Sequence, residues 1–218
     1  MKWNLAMETS QYWDKKLEKY ATADWANAPS LFAEWAISLF PPAGMFLELG
    51  AGHGQDSRFF AEKGYKVIST DFSKAGLEYN RAKLPPELEK QVSIQLIDIA
   101  EPLPFGDGVF DVVYSHLALH YFDHKTTESI FREVHRVLKA GGILALLLNS
   151  TSDPEYGQGI KIEDDLFEIE GIQKRYFSID SIRLYASDFR EIVADNKGET
   201  YKDRAKGTEY LIRSIGRK

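Results

Sequence analysis

The residues with the clearest chemical potential sit in the stretch FLELGAGHGQDS, residues 46–57. An apolar run reaches an acid, Glu48, and three glycines follow at every second position: Gly50, Gly52 and Gly54. Glycine takes positive φ without steric cost and lets a ligand approach the backbone closely. Such a loop directly after a strand is a place to hold a small molecule. It is not a dinucleotide fingerprint, because the third glycine of G-x-G-x-x-G would fall on Gln55 or Ser57. It is not a P-loop either, because no Gly-Lys-Ser/Thr follows. Two later apolar runs also end in acids, Asp71 and Asp98. A carboxylate there can accept charge-assisted hydrogen bonds from hydroxyl or amino groups, although Asp71 could instead cap the helix that follows. Beyond a further run come Ser115, His116, His120, Tyr121 and His124. The histidines are spaced four apart, one face of a helix, and a metal site is conceivable on that basis. Asp123 would point elsewhere on such a helix, so no convincing ligand set forms and no metal is expected.

The elements that must position these residues alternate. Residues 45–49, 66–70, 92–97, 110–114 and 143–148 read as strands, the last nearly all apolar, as when helices cover both faces. Residues 55–63, 73–82 and 126–139 read as helices, with Ser73 as an N-cap and Ile130, Val134, Val137 and Leu138 on one face. This order argues for a parallel sheet with right-handed crossovers. Ligands then sit outside the carboxyl ends of the strands, where strand order reverses. Residues 1–42 look helical and aromatic, with Trp3, Tyr12, Trp13, Tyr20, Trp25, Phe32 and Trp35. Residues 151–180 look loop-like and acidic. From residue 178 a short helix leads to two strands near 189–194 and 209–215, an antiparallel pair.

The glycine segment resembles the first motif of the class I S-adenosylmethionine-dependent methyltransferases: a hydrophobic run, an acid, then G-x-G-x-G. The match continues in order through LELGAGHGQDSRFFAEKGYKVISTDFS, LIDIAEPLPFGDGVFDVVYSHLALHYF and LKAGGILALLLNS, roughly residues 45–150. The start, YWDKKLEKY…APSLFAEW, is more loosely similar to the cofactor-covering segment of small-molecule and tellurite-resistance-type members. The resemblance implies a Rossmann-like, doubly wound α/β fold: a mostly parallel seven-stranded sheet, an antiparallel C-terminal strand and helices on both faces. It implies a single domain over residues 1–218: a helical cap (1–42), a cofactor-binding core (45–150), a substrate-side insert (151–180) and a C-terminal helix with antiparallel strands (181–218). It implies S-adenosyl-L-methionine as cofactor and S-adenosyl-L-homocysteine as product. Gly50, Ala51 and Gly52 would approach the methionyl part, with Glu48 ordering the loop and the amino group. Asp71 would accept from the ribose hydroxyls, and Phe72 would pack on the adenine. Asp98 would accept from the adenine amino group, and the Ile99 amide would donate to the ring. Ser115 would sit near the methionyl group, and Trp13 and Tyr20 would cover the cofactor. His120 and Tyr121 would lie at the mouth as base or substrate contact.

Methyl transfer from a sulfonium is an in-line displacement whose reactivity the cofactor carries. The protein mainly orients the acceptor, and a base is needed only where the nucleophile must lose a proton. The acceptor expected here is a small molecule. Ser115-His116-Leu117-Ala118 departs from the Asn/Asp-Pro-Pro-aromatic segment common where DNA bases, RNA or glutamine are methylated. The net charge of −6 also disfavours nucleic acid. The chain has no cysteine, no apolar core of signal-peptide length and no run long enough to span a bilayer, so a soluble, cytoplasmic protein away from membranes is expected. Two other readings stand beside this one: a non-catalytic sensor of S-adenosylmethionine or S-adenosylhomocysteine, and a nucleotide-cofactor oxidoreductase.

Overall fold

Two apolar layers explain which segments become strands. β5 (Leu138–Asn149) sends Ile143, Ala145 and Leu147 into one core and Leu144, Leu146 and Leu148 into another. β1 (Met45–Leu49) divides likewise, with Phe46 on one side and Leu47 and Leu49 on the other. A strand buried on both faces reads as a continuous apolar run rather than an alternation. The computed structural model describes the backbone of residues 2–200 and 210–218, and side chains within 11–23, 26–200 and 210–218. The side chains of Trp3 and Trp25, and residue Glu209, lie outside the described residues.

The first layer is covered by α2 (Leu31–Ala36) and α3 (Gln55–Glu62), through Phe32, Ala33, Phe60 and Ala61. The second is covered by α5 (His124–Val137) and α6 (Ile179–Tyr185), through Ile130, Phe131, Val134 and Ile182. Asp123 starts α5 by accepting from the Thr126 amide at 2.7 Å, and Ser178 starts α6 in a capping box. The remaining strands are β2 (Lys66–Asp71), β3 (Val92–Leu96), β4 (Phe110–His116), β9 (Arg190–Asp195) and β10 (Leu211–Arg217). Their order, β3-β2-β1-β4-β5-β10-β9, is parallel except for β10, which runs antiparallel to both neighbours. The chain winds outward from β1 to β3, then returns to β4 on the other side of β1. The switch point therefore lies between β1 and β4, and the glycine loop stands at its mouth. α1 (Lys2–Tyr20) packs on α4 (Lys74–Lys83). Among the described residues no helix is long and apolar enough to cross a membrane.

Two expectations need correction. Residues 151–180 are not a loop: β6 (Ile160–Glu163), β7 (Leu166–Ile169) and β8 (Ile172–Arg175) form a second, antiparallel sheet. The Glu170–Gly171 turn has φ of 53° and 78°, the left-handed pair that suits a tight hairpin. The three bases of this segment are paired with acids inside it: Lys161 with Asp164 at 2.7 Å, Lys174 with Glu155 at 2.5 Å, and Arg175 with Glu163. The three histidines do not share a helical face. His116 ends β4, His124 opens α5, and the segment between them is irregular, with Leu117 at φ 57°.

Candidate functional site

The glycine loop is tied down by backbone bonds before any ligand is considered. The amides of Gly50 and Ala51 both donate to the Thr70 carbonyl, at 2.9 and 2.8 Å, and Gly54 N donates to Ala51 O. All three glycines have positive φ, between 51° and 76°. A Cβ on Gly50 would stand 2.1 Å from the Ala118 Cβ, so the loop and the turn after β4 meet where only glycine fits. Ser115, fully buried, donates its hydroxyl to Leu49 O at 2.9 Å and locks β4 to β1 on the other side of the loop.

Asp71 organises the next corner. Its carboxylate accepts from Gly52 N and from Ser73 N, each at 2.8 Å. Burial pushes this carboxyl up, and the Ser73, Gly52 and Phe72 amides hold it down. Two carboxylate oxygens with one amide each retain lone pairs for a further donor. Ser73 caps α4 through the Gly76 amide, as expected, so the capping role belongs to the serine. Phe72 is half-buried. Asp98 is exposed and accepts from Ala100 N at 2.9 Å, with Ile99 half-buried beside it.

Glu48 lies beneath the loop. It is 3 % exposed, and the Ser57 hydroxyl donates to it. Nearby, Asp56 accepts from Ser30 N, Ser30 Oγ and Tyr114 Oη, at 2.6, 2.7 and 2.7 Å. Burial, with the Asp56 charge, pushes the Glu48 carboxyl up to about 8 against the Ser57 bond and the Arg58 charge. The folded state therefore keeps a proton that the unfolded chain releases near 4.5. Stability from this group is complete below that value and is lost as pH rises toward 8. Glu48→Gln should flatten the pH dependence of urea unfolding between pH 5 and 8 by about 1 kcal/mol per unit, and should be the more stable form at pH 8. Identical slopes for the two proteins would show that Glu48 titrates normally.

α1 lies across the strand ends. Leu17 wedges against the loop: its Cδ2 lies 3.2 Å from where a Gly52 Cβ would be. His53 Nε2 bonds Leu17 O at 2.9 Å, and Asp14 accepts from Ser73 Oγ at 2.5 Å. One step along the helix, Trp13 meets the Tyr121 ring edge-on at 4.8 Å. The helix thus reaches from α4 over the loop to the turn after β4. Tyr20, at its end, is half-buried and lies by Lys16, whose ammonium is 6.0 Å from the ring centroid. A cleft of ≈470 Å³ opens between α1 and α4, lined by Asp14, Glu18, Glu78 and Tyr79 among others.

His120 is 2 % exposed, its ring 4.3 Å from Tyr121. Burial first, then Lys174 and His116, push its pKa down to about 3. The imidazole is neutral at ordinary pH and suits a hydrogen bond better than proton uptake. Desolvation raises the Tyr121 hydroxyl. Among the described residues no group of three or more His, Asp or Glu side chains is placed to hold a metal. Sequence reasoning missed Asp14, Leu17 and the Ser30–Asp56–Tyr114 cluster, all joined to the site only through tertiary contacts.

Residues 47–146 match the family model described as a methyltransferase domain. The chain is 36 % identical over 130 residues to an uncharacterized methyltransferase of Synechocystis sp., covering 59 % of this chain and 58 % of that protein. It is 38 % identical over 104 residues to a sarcosine/dimethylglycine N-methyltransferase of Halorhodospira halochloris, covering 46 % of this chain and 36 % of that protein. The chain thus spans well under two thirds of these curated relatives. Among solved structures, the 1,6-didemethyltoxoflavin-N1-methyltransferase of Burkholderia thailandensis aligns over 98 % of this chain and 87 % of its own, with a TM-score of 0.76 at 16 % identity. A Methanosarcina mazei S-adenosylmethionine-dependent methyltransferase aligns over 84 % and 96 %, with a TM-score of 0.71 at 22 % identity. At those identities the likeness is one of fold.

Proposed function

We propose that this chain, whose residues 47–146 match a methyltransferase domain and which is 36 % identical over 130 residues to a Synechocystis methyltransferase, transfers a methyl group from S-adenosylmethionine to a small-molecule acceptor. The observation that carries this reading is the juxtaposition at the switch point. A loop that only glycine can form at residue 50 stands beside a buried carboxylate with spare lone pairs at Asp71. A backbone open to close approach beside an acceptor of that kind fits a ligand with a methionyl tail and a ribose diol.

When bound, the cofactor supplies a methyl group activated on sulfur. The chain's own part is binding, orientation and exclusion of water. The Gly50–Ala51–Gly52 backbone receives the methionyl portion, and Glu48, held under the loop by Ser57, keeps that backbone in place. Asp71 takes the ribose hydroxyls, and Phe72, Asp98 and Ile99 flank the adenine. Ser115 fixes the wall beside the methionyl end. α1, carrying Trp13 and Tyr20, closes over the cofactor as the 1–42 cap of a single unit whose core is 45–150. His120 and Tyr121 face the acceptor as contacts. The Burkholderia neighbour holds 1,6-didemethyltoxoflavin with S-adenosylhomocysteine, which supports a small acceptor in place of a nucleic acid.

The test is calorimetric titration with S-adenosylhomocysteine, with NAD as control. Micromolar binding of the first alone is expected. Binding of NAD alone, or of neither by folded protein, would remove the reading.

A further inference from the structure

We infer that the acceptor is a planar ring, not an anion, with hydrogen-bonding groups on its edge, seated against the joined turn after β4 and end of β8 and read by His120 Nδ1 and the Tyr176 hydroxyl. This deepens the methyl-transfer reading and rests on it.

The first observation is a pair of orphaned atoms. His120 and Tyr176 are 2 % and 1 % exposed, and among the described residues neither His120 Nδ1 nor Tyr176 Oη has a hydrogen-bond partner. A buried polar atom without a partner bears its full desolvation penalty, so native folds rarely keep one without use. The two belong to one place. The Arg175 amide donates to His120 O at 2.8 Å, which sets the following residue, Tyr176, beside the histidine turn. Tyr121, next to His120, lies close enough to Tyr12, Tyr20, Glu155 and Tyr176 for their charges to act on its hydroxyl.

The second observation is the lining. Trp13 stands edge-on to Tyr121, and Tyr176 is edge-on to Tyr156 at 5.6 Å. Ring edges and faces so arranged favour a flat, polarisable guest. The third is charge. Lys174 is matched by Glu155 at 2.5 Å, and Arg175 is paired with Glu163. Both of these cations are thus matched, so an anionic guest would be desolvated without a partner. A hydroxyl that both donates and accepts, beside an imidazole nitrogen, can read a neighbouring donor and acceptor on one ring edge.

The experiment uses the full chain saturated with S-adenosylhomocysteine and three probes: 2-hydroxypyridine, toluene and benzoate. Saturation-transfer NMR should show 2-hydroxypyridine binding about tenfold or more tightly than the other two, since only it is both uncharged and able to pair with the two orphaned atoms. Tyr176→Phe should weaken 2-hydroxypyridine by about fivefold or more, the worth of one hydrogen bond, and leave S-adenosylhomocysteine affinity within about twofold. Its melting temperature should hold or rise, because the deleted hydroxyl had no partner in the ligand-free protein. Equal binding of the three probes would overturn the inference. So would unchanged 2-hydroxypyridine affinity in the variant, or a melting temperature several degrees lower. Each of these failures, with S-adenosylhomocysteine still bound, leaves methyl transfer standing. Loss of S-adenosylhomocysteine binding by the parent protein would remove both readings.

Discussion

Asp71→Ala should weaken S-adenosylhomocysteine binding by about 1.5–3 kcal/mol, roughly ten- to a hundredfold, the worth of hydrogen bonds to a charged group. The same substitution should destabilise the ligand-free fold. The carboxylate accepts from Gly52 N and Ser73 N, and truncation leaves both amides without that partner. Each orphaned buried donor costs about 1–3 kcal/mol. The two effects separate in Asp71→Asn. A single carbonyl oxygen can keep one amide bond and loses the charge. That variant should recover part of the stability and little of the affinity. Calorimetry and urea unfolding on the same protein read both quantities. If both variants bind like the parent while unfolding early, Asp71 is a loop anchor only.

Asp71 stood out in the sequence as an acid ending an apolar run, and much around it did not. A residue that must be glycine or a carboxylate at a strand end announces itself by type. Gly50 and Gly52 stand out for that reason, as do Asp71 and Asp98. The strands were legible for a different reason. β5 buries Ile143 to Leu148 on both faces, and such a run has few other ways to fold. The second sheet was hidden because its strands are four residues long and carry charges between the apolar positions. The usable signal was Glu170-Gly171 between two short apolar runs, a tight-turn pair that composition masked. The histidine spacing misled because four-residue spacing means one face only inside a helix, and Leu117 at φ 57° breaks the chain direction there.

The contacts that close the site were hidden by distance along the chain. Leu17 O meets His53 across 36 residues, and Asp14 meets Ser73 across 59. Nothing in a helix reading YWDKKLEKY marks its leucine as the side chain that seals a glycine loop, because the same leucine would serve any helix interface. The aromatic character of residues 1–42 left its contacts unnamed, and Trp13 on Tyr121 is where α1 touches the turn after β4. Within residues 151–180, Glu155, Glu163 and Asp164 are held by the segment's own three bases, pairings that its acidic composition did not disclose.

Gly50→Ala tests the geometry on which all of this depends. Residue 50 has φ 76°, where a Cβ crowds the backbone and costs about 1–2 kcal/mol. The new methyl would also stand 2.1 Å from the Ala118 Cβ, well inside any tolerated carbon contact. Relieving that overlap means pushing the turn after β4 away from β1, and forced overpacking of this kind costs about 1–3 kcal/mol. Together these predict a loss of about 2–5 kcal/mol in urea unfolding. Gly52→Ala is the comparison, since its Cβ would meet the end of a leucine side chain at 3.2 Å, and it should cost less. Ala118→Gly removes the opposing methyl and should restore part of the stability lost in Gly50→Ala, leaving the backbone share behind. A double variant no more stable than the single would place the clash elsewhere. Recovery of stability without recovery of S-adenosylhomocysteine binding would show that the loop's left-handed backbone at residue 50 is what the ligand requires.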